Sequence, residues 1–103
     1  MLQARLIAKW TFITNHARVL LVIARDPSMR LRDIAATLGI TERATQRIVS
    51  ELVDGGYLSR QRVGRRNSYT VHPKQPLRIQ QAQKASVGGL LDLLLANLDP
   101  IAP

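Results

Sequence analysis

The chain has 103 residues, 15 Lys and Arg against 7 Asp and Glu, a formal net charge of +8 and no cysteine. That length suits one domain with a modest core, small enough that oligomerisation would add useful buried surface. The composition excludes disulfides and thiolate metal sites; no stretch approaches the roughly 18 apolar residues of a membrane span, and the basic balance favours a polyanionic partner.

Residues 1–14 form an N-terminal segment of mixed signals. Leu2, Leu6, Ile7 and Ile13 fit one side of a helix. Trp10, Thr11, Phe12 and Ile13 read as extended, being aromatic and β-branched. Trp10 and Phe12 are expected to fill core or subunit-interface space; the alternative is an aromatic wall for a small ligand. The run MLQARLIAKW is interrupted by Arg5 and Lys9 and lacks a signal-peptide cleavage pattern. A cytoplasmic protein is the expectation. Asn15 then reads as the N-cap of a helix from about His16 to Arg25, with Val19, Leu20, Ile23 and Ala24 facing the core. Asp26-Pro27 ends it, since a residue before proline disfavours the helical region.

A short helical pattern over Asp33 to Leu38 begins near Leu31, where no Ser, Thr, Asn or Asp precedes it, so its cap is weak. Gly39 suits a tight turn. Thr41 is a good N-cap for a second, longer helix, and Glu42 complements the dipole in its first turn. Ala44, Ile48, Val49 and Leu52 recur at helical spacing as one apolar face. Arg43, Gln46, Arg47 and Ser50 lie opposite, and Thr45 could face either core or solvent. Gly55-Gly56 ends this helix. Two helices about a glycine turn, the second basic on its outer face, spell a helix-turn-helix.

Tyr57 to Val63 and Asn67 to His72 then read as strands, with turn-forming residues Gly64 to Asn67 between them. Tyr69 and Val71 share one face and should pack on the core. Leu58 and Val63 differ in parity, so one is exposed or the strand is bulged. Arg60, Arg62, Arg65 and Arg66 concentrate the charge, and no acid lies between Gly55 and Leu91. Pro73 and Pro76 break the chain. Pro76 fits a first helical position, and Leu77 to Leu98 read as a helix of about 33 Å if continuous. Gly88-Gly89 could bend or break it, or permit close contact, and Asp99-Pro100 ends it. Leu90, Leu91, Leu94, Leu95 and Leu98, extended by Leu93, make a stripe too apolar for a lone surface helix, and a partner subunit is the expected cover.

A helix-turn-helix followed at once by an arginine-rich hairpin resembles the winged helix-turn-helix transcriptional regulators, most closely the small ArsR/MarR-like groups. Leu31, Ile34-Ala35, Leu38-Gly39-Ile40-Thr41, Arg47, Leu52, Gly56-Tyr57-Leu58 and Arg65-Arg66 with Tyr69 carry the resemblance, over about Asn15 to His72. It implies a mainly α fold with a small β-hairpin wing, to whose edge Met29 to Leu31 would add a short strand. Residues 15–73 would be the DNA-binding domain and residues 74–103 a C-terminal dimerisation helix. The chain lacks the cysteines with which many ArsR-like repressors sense metals.

The implied function is that of a sequence-specific duplex DNA-binding transcriptional regulator, a homodimeric repressor. Its second helix would enter the major groove. Arg43 and Gln46 are the expected base readers, since Arg pairs with guanine and Gln with adenine. Thr41 and Arg47 would hold phosphates. Arg30 and Arg32 would do so at the start of the first helix of the motif. Arg62, Arg65 and Arg66 would do so from the wing, where guanidinium binds phosphate in a bidentate way. A rival from another class is a winged-helix protein-interaction module that does not bind DNA. A third reading is an effector-sensing regulator, with a pocket for an unknown small molecule between the Leu-rich helix and the Trp10 segment.

No catalytic constellation is expected. The acids are scattered, and Asp33, Glu42, Glu51 and Asp54 sit where they serve caps and helix surfaces. There is no glycine-rich phosphate loop and no Ser with a His and an acid at a recognised spacing. His16 and His72 lie far apart, so no metal or cofactor is expected.

Overall fold

The computed structural model describes residues 10–98. The readings placed on Leu2, Leu6 and Ile7, and on Asp99-Pro100, fall outside them. Helix α1 runs Asn15–Arg25. Its cap is Thr14 rather than Asn15: Thr14 has the extended backbone a cap requires, and its Oγ1 accepts from the Ala17 amide at 3.3 Å. Asn15 accepts instead from Arg18 Nη1 at 2.9 Å. Val19, Leu20 and Ile23 are buried as the pattern predicts, joined by Val22.

Helix α2, Leu31–Leu38, starts at Arg30 with no side-chain cap bond. It stops at Gly39, whose φ of 70° and ψ of 30° are left-handed. That conformation lets the Gly39 amide reach the carbonyls of Ala35 and Ala36, and glycine adopts it without a Cβ penalty. Thr41 then caps α3, Glu42–Asp54, accepting from the Ala44 amide at 3.0 Å. Arg18 of α1 donates to the Leu38 carbonyl at 3.2 Å, which ties the first helix to the turn. Ile48, Val49 and Leu52 of α3 pack on Val19 and Ile23 of α1 and Ile34 of α2 in one core. Thr45 resolves inward. It is fully buried, and its hydroxyl donates to the Thr41 carbonyl at 2.9 Å.

Strands β1, Leu58–Val63, and β2, Arg66–Val71, pair antiparallel from Leu58 opposite Val71 to Val63 opposite Arg66 without a bulge. The turn is therefore the two residues Gly64-Arg65, shorter than the four that composition suggests. The parity conflict ends with Leu58 in the core and Val63 exposed. Tyr69 is buried and Val71 half-buried, on the shared face expected. Among the described residues the sheet has two strands. No strand forms at Met29 to Leu31, and the loop there meets β2 through a single backbone bond, Tyr69 amide to Pro27 carbonyl at 3.0 Å. Pro27 has no N–H with which to extend a ladder.

Leu77 to Leu98 do not form one helix. Pro76 makes an isolated antiparallel bridge with Ser86. The Leu77 amide donates to the Ala85 carbonyl at 3.1 Å, and the Val87 amide to the Gln75 carbonyl at 2.8 Å. Backbone groups that a helix would have used locally are thus consumed across a loop, which holds one 3-10 turn, Gln80–Ala82. Within it Arg78 takes a φ of 62°, unusual for a residue with a Cβ. Its guanidinium lies over the Tyr57 ring at 5.1 Å and donates to the Gly55 carbonyl at 3.4 Å. Helix α4 begins ten residues later than expected, at Val87–Ala96, capped by Ser86. Gly88-Gly89 fall in its first turn and neither bend nor break it.

The leucine stripe divides. Leu91 is buried within this chain, with Val87, against the core that α1 lines. Leu90, Leu94 and Leu98 are half-buried. Leu93 and Leu95 are 63% and 36% exposed. Trp10 and Phe12 do not fill the core of the chain either. They stand 69% and 95% exposed, packed edge to face on each other at 5.1 Å.

Candidate nucleic-acid interface

The N-terminal half of α3 is presented to solvent by the burial of its other face. Because Thr45, Ile48, Val49 and Leu52 point inward, Arg43, Gln46, Arg47 and Ser50 are exposed. Thr41, Arg43 and Arg47 gather round a shallow cleft at the start of the helix, where the Ala44 amide is already served by the Thr41 hydroxyl. That hydroxyl accepts one bond and keeps its proton free to donate. Arg43 and Gln46 make no side-chain hydrogen bond among the described residues, so their donors are available to an incoming edge. Arg47 differs. Its Nη1 lies 3.5 Å from Glu51 Oε1, and that same oxygen is 2.8 Å from His16 Nε2 on α1. The pairing spans 35 residues and has no spacing signal in the sequence.

A second cationic group forms where the wing meets the α1–α2 loop. Arg30, Arg65 and Arg66 line one cleft of about 280 Å³ with Ser28 and Tyr69. Arg65 occupies the wing turn and makes no side-chain hydrogen bond among the described residues. Arg66 is engaged: its Nη2 donates to the Ser28 carbonyl at 2.6 Å. Arg62 Nε reaches the Gly64 carbonyl at 3.4 Å, a weak contact within the hairpin. Arg32 lies 4.0 Å from Asp33, a loose, solvated pair worth little in either direction. So the nine cations and polar groups expected at the interface are exposed or partly exposed. They fall into an α3 cluster, a wing-loop cluster and two outliers, Arg32 and Arg62.

Elsewhere the surface carries little chemistry. His72 Nε2 pairs with Ser59 Oγ at 2.6 Å, remote from His16. Among the described residues no group of three or more His, Asp or Glu gathers, and no helix is long and apolar enough to cross a membrane. An open cleft of about 600 Å³ lies between α1, the second half of α3, Tyr57 and α4, with Leu20, Leu52 and Leu91 in its walls and Arg47 and Arg78 at its edges. Thr14 lines it from the N-terminal segment, and Trp10 does not.

Three helices, the second and third joined by a glycine turn, followed by a two-stranded wing, define a winged helix-turn-helix protein. The chain belongs to the MarR family, whose family model matches residues 11–66 of the 103. It is accordingly a transcription regulator of the winged-helix type. A comparison with curated proteins returned no match, and a comparison with solved structures returned none.

Proposed function

We propose that this chain is a homodimeric repressor that reads a duplex DNA operator with α3 and clamps the flanking backbone with its wing. The observation that carries the reading is the exposed, uncommitted pair Arg43 and Gln46 one turn into a helix whose opposite face is locked in the core. An α-helix fits the B-form major groove, and these two side chain types recognise guanine and adenine edges bidentately. Thr41 and Arg47 beside them, and Arg30 and Arg65 across the loop cleft, would hold phosphates and fix the register. Arg32 and Arg62 would add long-range attraction to the net charge of +8.

Dimerisation is supported by exposed apolar side chains. Trp10, Phe12, Leu93 and Leu95 cluster at the two ends of the described chain and stand exposed in the lone protomer. Large apolar surface of this kind marks an association site. Two copies would place their α3 helices in successive major grooves, so the operator would be a pseudo-palindrome with half-sites about one helical turn apart. Binding there occludes a promoter without catalysis, metal or cofactor, in the cytoplasm. Selection of bound sequences from a random duplex pool tests the proposal. Enrichment of a palindrome supports a dimeric reader; a pool that stays random, with no retention at low salt, favours a protein-interaction module instead.

A further inference from the structure

Two bonds join the wing to the rest of the fold at consecutive carbonyls of the α1–α2 loop. The Tyr69 amide donates to the Pro27 carbonyl at 3.0 Å, and Arg66 Nη2 donates to the Ser28 carbonyl at 2.6 Å. The loop that receives them is braced from within. Asp26 Oδ1 accepts from both the Ser28 amide at 3.3 Å and the Ser28 hydroxyl at 3.2 Å, and Pro27 fixes its own φ. Tyr69 anchors the base of the hairpin because its ring is buried. Arg66 acts three residues further out, at the last pair of the ladder, where Val63 opposite it is exposed and offers no packing. Without the Arg66 bond the outer half of a two-stranded hairpin would hang from the fold by its base alone, and such a hairpin is marginal in water.

We infer that Arg66 is the positioning residue of the wing: it pins the hairpin to the Ser28 carbonyl and thereby sets where Arg65 meets the DNA backbone. The inference rests on the DNA-binding reading for its consequence, but the pin itself belongs to the free protein. It divides two neighbouring arginines that look equivalent in sequence. Arg65 at the turn has its donors free for phosphate. Arg66 spends its strongest bond inside the protein, on a neutral carbonyl that no change of side chain at Ser28 removes.

The test uses the whole chain with Arg65→Ala, Arg66→Ala and the double variant. Hydrogen exchange of the Tyr69 amide is measured without DNA, with the amides of Ile48 and Val49 as the check that the core is intact. Arg66→Ala should speed Tyr69 exchange about fivefold, the factor that one hydrogen bond of ordinary net worth represents. Arg65→Ala should leave it unchanged. Affinity for a short duplex of arbitrary sequence is then followed against salt. Arg65→Ala should lower the slope of log affinity against log salt by about 0.9. Arg66→Ala should weaken binding when Arg65 is present and add little once Arg65 is gone, which is the non-additivity expected of residues acting as a unit. An unchanged Tyr69 exchange rate, or a further slope loss of about 0.9 in the double variant, overturns the inference and makes Arg66 a phosphate contact in its own right. If the unaltered protein fails to bind the duplex at low salt, the functional reading falls, while the exchange rates still decide the pin.

Discussion

Gly88 touches Pro73 so closely that no side chain fits between them. Its amide donates to the Pro73 carbonyl at 2.8 Å, and a Cβ built on Gly88 would lie 2.8 Å from Pro73 Cβ and 2.9 Å from Pro73 O. This contact seats the first turn of α4 against the end of the wing strand. Gly89, its neighbour, has only Ser86 Oγ in reach of a Cβ, at 3.6 Å. The pair should therefore respond in opposite ways to alanine. Gly88→Ala should destabilise by about 1–3 kcal/mol through overpacking. Gly89→Ala should stabilise by roughly 0.5–1 kcal/mol through helix propensity. Thermal unfolding resolves both, since each kcal/mol moves the midpoint by about 4–8 °C in a domain of this size.

Thr45 provides a test of which face of α3 reads. Replacement by valine keeps its shape in the core and removes one hydroxyl bond. The Thr41 carbonyl still accepts from the Thr45 amide at 3.0 Å, so no buried acceptor is orphaned. Thr45→Val should cost under about 1.5 kcal/mol and leave operator preference unchanged. A shift in preference measured on single-base operator variants would place Thr45 in the groove and reverse the orientation of the helix.

Gln46→Ala should remove about 1–3 kcal/mol of discrimination at one position of each half-site. Nonspecific affinity should change little, because no charge is lost. Binding curves on the selected operator and on a scrambled duplex, at several salt concentrations, separate the two effects. Equal ratios for Gln46→Ala and the unaltered protein would mean that bases are read elsewhere, and a narrow minor groove entered by Arg65 would be the next site to examine.

The dimer prediction needs exposed positions. Leu91 is part of the protomer core, so a charge there would unfold the chain and say nothing about association. Leu93→Glu combined with Leu95→Glu leaves the core intact. Sedimentation should show a dimer before the change and a monomer after it, with far-ultraviolet circular dichroism preserved. An unaltered chain that sediments as a monomer at micromolar concentration would remove the case for a symmetric operator.

The parts of the fold written by local chemistry were legible in the sequence. Gly39, Thr41 and the spacing of Ile48, Val49 and Leu52 announce the turn, the cap and the buried face, because each acts within a few residues. The hairpin was legible for the same reason, to within a residue at its ends. What could not be read were pairings set by the tertiary fold. Pro76 carries the local mark of a helix start, yet its neighbours Leu77 and Gln75 bond to Ala85 and Val87 across the loop, and this outweighs the helix propensity of the Gln- and Ala-rich run between. The exposed face of α3 followed from periodicity. The loss of Arg66 to Ser28 and the tie of Arg47 through Glu51 to His16 did not, since partners 38 and 35 residues away leave no trace in spacing.

The wing has one further consequence, for the behaviour of the protein at high concentration. Among the described residues β1 has a single strand neighbour, so its outer edge presents backbone donors and acceptors to solvent. An edge of that kind recruits strands from other molecules. Here it carries Arg60 and Arg62 and no acid, and the turn beyond it adds Arg65. Two such edges repel before they can pair. The hairpin's arginines therefore also guard the protein against growing into fibrils or precipitates, and a variant stripped of them would be expected to fail first as a soluble protein.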